Sequence, residues 1–178
     1  MKTLLLLAAI AKFSMSAPNA APPSRMSAPD DAAILNRFDD AVTVDLACAE
    51  LAVQRGHSKE VRDFARTLVS EHGMAHQLAR DVAAQLDLSL KPASDGARRA
   101  EHARVLKALQ ERPDAAFDVL FLRHEVEYHK ELVTLIHDEW IPAAKSGDLG
   151  ALLSQAAPAF EAHGKMAGEL GQRLRPGA

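Results

Sequence analysis

Aromatic residues make up only 4% of the 178 residues. A core cannot be assembled from so few rings, so it must come from the aliphatic side chains within the 48% hydrophobic fraction. Cysteine is almost absent. Cys48 has no partner in the chain, which excludes an intrachain disulfide, and its place in an apolar segment reads as a small core hydrophobe rather than a reactive thiol. There is no basic stripe, and a formal net charge of −3 makes nucleic acid an unsuitable partner. Glycine-rich phosphate loops, serine-nucleophile arrangements and paired-carboxylate sites are also missing, so nothing in the sequence demands an enzyme. Past the first residues no apolar run approaches the roughly 17–25 residues that cross a bilayer, which predicts a mature chain without a transmembrane segment.

The beginning is different in texture. Lys2, an apolar run from Leu4 to Ala11 and small residues around Ser14, Ser16 and Ala17 follow the order of a secretory signal peptide. Residues 1–20 are read as that leader, with cleavage near 16–20, and residues 21–30 as a disordered tether. Residues 31–175 are read as one helical domain. Export to the periplasm follows, with a formal charge of −5 once Lys2 and Lys12 are lost.

Within the domain, apolar residues recur at steps of three and four, the spacing that keeps side chains on one helix face. The first seam reads Leu35, Phe38, Val42, Asp45, Ala49, Ala52. The second reads Val61, Ala65, Leu68, His72, Ala75, Ala79, Val82, Leu86. The third reads Ala115, Val119, Leu122, Val126, His129, Val133, Ile136, Trp140, with Phe121, Glu125, Tyr128, Leu132 and Leu135 as a competing face. The fourth reads Leu149, Leu153, Ala156, Phe160, His163, Ala167, Leu170, Leu174. A short turn at Gly56 and Ser58 joins the first pair of helices, and another at Ser146 and Gly147 joins the second pair. Leu88 to Arg112 is a long crossover carrying a short charged helix from about Ala97 to Glu111. The expected fold is all-α, an antiparallel four-helix bundle with ferritin-like connectivity.

Each seam carries one polar residue in its middle: Asp45, His72, His129 and His163. A buried polar group without a partner costs about 2–7 kcal/mol, so four in one core point to mutual satisfaction. Neutral imidazole and carboxylate suit a divalent transition metal, zinc or copper first and then iron. His72, His129 and His163 are the candidate ligands, with Asp45 or Glu125 as the fourth. The alternative is a metal-free buried hydrogen-bond cluster in a structural or stress-related envelope protein, and a small metalloenzyme is the third reading. A di-iron carboxylate centre does not fit, because the positions three before each histidine are Val69, Val126 and Phe160 rather than glutamates. Glu71 points about 100° from His72 on the helix wheel and is expected in solvent. His76 is expected at the surface, and His57, His102, His124 and His137 solvated or partly exposed. Pro142 is expected to end the third long helix.

The Val-Arg-Asp-Phe-Ala run at 61–65, the Glu71-His72 pair, Phe117-Asp118 followed by His129, and Pro158 followed by His163 carry a resemblance. The chain resembles a family of exported bacterial proteins described as a domain of unknown function, often labelled outer membrane proteins. That resemblance implies a ferritin-like bundle, usually with glutamate where Asp45 falls and often glutamine where Glu125 falls. It implies no settled activity. The leader gives a first expectation: protein from the bacterial envelope should have lost about the first 16–20 residues by mass spectrometry, whereas an intact Met1 would refute export.

Overall fold

Side-chain caps mark where the helices begin. The computed structural model describes residues 30–91 and 96–174, except the side chains of residues 96–99. The expected leader, and the tether up to residue 29, lie outside the described residues. The Asp30 carboxylate accepts the Ala33 N–H at 2.8 Å and opens α1 (Asp31–Arg55). Gly56 closes it. A Cβ there would stand 2.8 Å from the Ala52 carbonyl oxygen, so this tight turn requires glycine. Ser58 accepts the Val61 N–H at 3.1 Å and opens α2 (Lys59–Gln85). Asp87, at φ 54°, ends that helix by sending the Leu88 N–H back to the Ala83 carbonyl at 2.8 Å. The crossover carries α3 (Gly96–Glu111), followed by α4 (Asp114–Leu135), the short α5 (Ile141–Ala143) and α6 (Gly147–Arg173). Helices α1 and α2 pack as one antiparallel pair, α4 and α6 as the other, and α3 lies against α1 and α4. This is the ferritin-like, two-hairpin connectivity that the seams predict.

Two carboxylates set the height of one hairpin against the other. Asp31, in the first turn of α1, accepts the Lys145 and Ser146 N–H groups, each at 2.8 Å, in the turn before α6. Asp118, near the start of α4, accepts the His57 and Ser58 N–H groups, each at 2.8 Å, in the turn before α2. Each hairpin therefore begins beside the turn of the other. Sequence reading found neither contact, because both partners are backbone groups distant in the chain.

The core is apolar at both ends and polar in the middle. One apolar cluster gathers Leu35, Phe38, Val82, Ile136, Trp140 and Leu153. The other gathers Ala52, Phe64, Leu68, Phe121, Leu122 and Leu170. Five buried polar residues fall between these two sets, Asp45 on α1, His72 on α2, Glu125 and His129 on α4, and His163 on α6, whereas buried Asp40 and Asp118 lie nearer the ends.

Helix α4 departs from expectation. Its buried face is Phe117, Asp118, Phe121, Leu122, Glu125, His129 and Leu132. This strip lies between the two faces, taking Leu122 and His129 from the seam and Phe121, Glu125 and Leu132 from its competitor, while Val119 is exposed. The aromatic rings and Leu132 fill the centre better than the smaller valines. After α4 the chain winds through a π-helical turn, Ile136–Trp140, closed by the Ile141 N–H on the Ile136 carbonyl. Pro142 follows directly. Its ring crowds the carbonyl four residues back and it offers no N–H, which widening the turn accommodates. Pro142 lies within α5 rather than ending the helix, and Ile136 and Trp140 both stay buried.

Asp118→Ala removes the acceptor for two backbone N–H groups in a buried setting. It should cost about 1–3 kcal/mol and lower the melting temperature by several degrees. Asp118→Asn, which keeps one acceptor oxygen, should fall between, as measured by thermal unfolding followed by circular dichroism.

Candidate metal centre

Helix packing brings the polar residues together. Gly164 on α6 faces His129 on α4, and a Cβ at Gly164 would stand 3.3 Å from His129 Cβ. Because glycine leaves that space open, α6 approaches α4 at the height of the imidazole. The ring centroids of His72, His129 and His163 lie 5.5, 5.3 and 5.2 Å apart pairwise. One nitrogen from each ring falls within 4.8 Å of the other two. Asp45, Glu125 and His129 form a second such trio sharing His129. Phe160 packs against all three histidines, its centroid 5.5, 5.9 and 6.2 Å from theirs.

Hydrogen bonds decide which nitrogens are free. His129 Nδ1 lies 2.9 Å from the Glu125 backbone carbonyl. A carbonyl only accepts, so Nδ1 carries the hydrogen and Nε2 keeps the lone pair. That Nε2 is buried without a hydrogen-bond partner, 3.6 Å from Asp45 Oδ2. His163 Nε2 donates to Glu71 Oε2 at 2.7 Å, which leaves Nδ1 as a buried lone pair, also unpartnered. His72 Nε2 stands 2.7 Å from Asp45 Oδ2 but without the alignment of a hydrogen bond, and its Nδ1 has no partner. None of the four side-chain oxygens of Asp45 and Glu125 has a well-aligned hydrogen bond, although Asp45 adjoins both His72 and the carboxyl of Glu125, each able to share a proton with it. Native proteins rarely leave so many polar atoms unsatisfied in one place.

Residues 15–170 match the DUF4142 family, a domain of unknown function. The chain belongs to that family. No curated protein matches its sequence. Among solved structures, a DUF305 fragment from Deinococcus radiodurans is similar in fold, with a TM-score of 0.69. The two share 15% identity over 80% of this chain and 95% of the fragment. At that identity the likeness speaks for the fold alone, and it agrees with the helical bundle described above.

In this DUF4142 bundle the layer's ionisation follows from burial and neighbours. Burial opposes the charge on Asp45, but the adjoining His72 and His129 outweigh it and hold the carboxyl well below the usual range. Glu125 is driven the other way. Burial, reinforced by the charge of Asp45, pushes its pKa well above 4.5. Burial also lowers His129 to about 4, with His72 and His163 adding to the effect and Asp45 opposing it. His163 is lowered by burial against the pull of Glu71.

The structure brings together all five residues singled out from the sequence, Asp45, His72, Glu125, His129 and His163, each buried. Of the two candidate fourth ligands, Asp45 lies against His72 and His129, whereas Glu125 lies against Asp45 and the Nδ1 side of His129. Glu71 is partly in solvent, as expected, but one of its oxygens also bonds His163, which the sequence did not suggest. Turning 100° from the seam put it at the α2–α6 boundary, where the neighbouring helix supplies a partner. His76 is also half-buried and pairs with Asp39 at 2.6 Å. His57 and His137 are exposed, and His102 and His124 half-buried, as expected. Cys48 is fully buried, its Sγ 4.0 Å from His102 Nδ1. Burial and the charges of Asp45 and Glu125 push its thiol pKa up, which keeps it inert as the sequence suggests.

These shifts give the ion-free protein a definite pH response. Between pH about 6.5 and 4 the unfolded chain takes up a proton on His129 that the folded chain refuses, so stability falls as pH falls through that window. Glu125 acts oppositely. Above pH 4.5 the unfolded chain releases a proton that the fold retains, so stability falls as pH rises. In chelator-containing buffer, Glu125→Gln should therefore melt several degrees above the native protein at pH 8, with the gap closing towards pH 4.5. Equal melting at both values would show that Glu125 ionises normally.

Proposed function

We propose that this DUF4142 protein holds one divalent transition-metal ion in the centre of its bundle, zinc or copper first and then iron. His72, His129 and His163 are the nitrogen ligands, and Asp45 and Glu125 offer the oxygens. One observation carries the reading. Hydrogen bonds from the far nitrogens of His129 and His163 leave a buried lone pair on each ring. A carbonyl or carboxylate bound to the outer nitrogen of an imidazole is how proteins orient a histidine towards a metal. Two acceptors facing each other at 3.6 Å, His129 Nε2 and Asp45 Oδ2, repel unless something positive lies between them. Neighbouring ligand atoms on an ion with bonds of about 2.0–2.1 Å stand roughly 3.3 Å apart in a tetrahedral arrangement, so this separation suits an ion. A dication would also offset the charge of Asp45 and draw Glu125 into its ionised form. Together with the leader-like first residues, this supports an exported, periplasmic protein that buffers or stores metal, or handles it under envelope stress.

A second reading has its own observation. His72 Nε2 and Asp45 Oδ2, 2.7 Å apart, are closer than neighbouring ligands on one ion and close enough to share a proton. On this reading the layer is a metal-free polar cluster in a structural envelope protein.

Thermal unfolding separates the two. An ion that binds only the folded chain stabilises it by about 2.7 kcal/mol at a hundredfold excess over Kd. Chelation should lower the melting temperature by about 5–10 °C, and added zinc or copper should restore it. His129→Ala should stay helical by circular dichroism yet lose the response. Equal melting of stripped and loaded protein would favour the polar cluster.

A further inference from the structure

Two surface grooves reach the histidine layer, and their charges differ. Between α4 and α6, a space of about 300 Å³ comes up against His129, whose side chain stays fully covered, and is lined by Lys130 and Lys165, with Glu161 beside them. Between α2 and α6, a space of about 220 Å³ reaches His163 and is lined by Glu71, Met74 and Gln155, with no lysine or arginine in its walls. Glu71 bridges inside and outside. Its side chain is 41% exposed, yet its Oε2 lies 2.7 Å from Nε2 of His163, whose own side chain is only 2% exposed. Met74, exposed at the same groove, places a thioether beside that carboxylate, and thioethers favour soft ions such as copper(I).

We propose that the metal ion reaches the core through the α2–α6 groove, with Glu71 as the carboxylate that captures it at the surface. The inference rests on the metal-binding reading given above. Coulomb's law favours this side, because a cation approaching the other groove meets two ammonium groups against the single carboxylate of Glu161, whereas here it meets an anion in hydrogen-bond contact with a candidate ligand. The same contact makes Glu71 a positioning residue. By accepting the Nε2 hydrogen it keeps Nδ1 of His163 unprotonated and ready to bind.

Glu71→Gln isolates the capture role, since the amide oxygen can still accept from His163 Nε2 while the charge is gone. The probe is cobalt(II) chloride mixed rapidly with the metal-free full chain, the visible absorption of the bound ion reporting the rate. Glu71→Gln should slow association about tenfold and flatten its dependence on ionic strength. Lys130→Gln, at the other groove, should leave the rate within about twofold, and circular dichroism checks that both variants are folded. If Glu71→Gln takes up cobalt at the native rate, or if Lys130→Gln accelerates uptake tenfold, the proposed route is overturned while metal binding stands. If the native chain takes up no cobalt, zinc or copper, both the route and the metal-binding reading fall.

Discussion

Everything in this bundle depends on a polar layer set across the middle of an apolar core. Three imidazoles and two carboxylates occupy one level of the fold, with aliphatic and aromatic packing above and below. Hydrophobic burial would be served better by leucine at each of these positions. A protein that places five ionisable groups there has to satisfy them, and their own hydrogen bonds do so only in part. His129 and His163 are tied at their outer nitrogens, and what remains is a set of lone pairs and carboxylate oxygens with few hydrogens among them. A shortage of positive charge at the centre of the molecule is the physical content of the metal-binding proposal.

The rest of the architecture serves that level. Asp31 and Asp118 each grip the turn of the opposite hairpin, so neither hairpin can slide along the other without losing four hydrogen bonds to backbone. A slide of one helical turn, roughly 5.4 Å, would separate the histidines of α4 and α6 from Asp45 and His72. Gly164 lets α6 close on His129. The π-helical turn before Pro142 keeps Ile136 and Trp140 in the apolar end beyond the layer. Phe160, in contact with all three imidazole rings, packs against the layer from α6. Stability and site geometry are thus set by the same contacts.

Much of this was legible in the chain, because helical periodicity is a strong signal and a polar residue in an apolar seam stands out against it. The seams of α1 and α2 lie almost wholly within the buried faces, which are wider and add Ile34, Asp40, Ala41 and Cys48 on α1 and Phe64 and Ala83 on α2. Asp45, His72, His129 and His163 were visible as interruptions. Helix α4 was harder. Two faces of comparable hydropathy compete there, and the choice falls to side-chain volume, which favoured Phe121 and Leu132 over Val119 and Val133. The bond from Glu71 to His163 was not foreseen, because a helical wheel measures direction from one axis, whereas a contact at a boundary depends on the neighbouring helix. The grips of Asp31 and Asp118 join a side chain to backbone groups roughly 60 and 115 residues away. No periodicity encodes such contacts. The charge difference between the two grooves arises in the same way, from side chains on separate helices.

The central claim is that the three histidines converge on one ion, and X-ray absorption spectroscopy of the zinc-loaded protein tests it most directly. The account predicts one zinc per chain after exhaustive dialysis, with nitrogen and oxygen neighbours at about 2.0–2.1 Å and outer-shell scattering from about three imidazole rings. The scattering should fall by one ring in His163→Ala. A chain that retains no zinc, or zinc whose spectrum shows no imidazole, would contradict it.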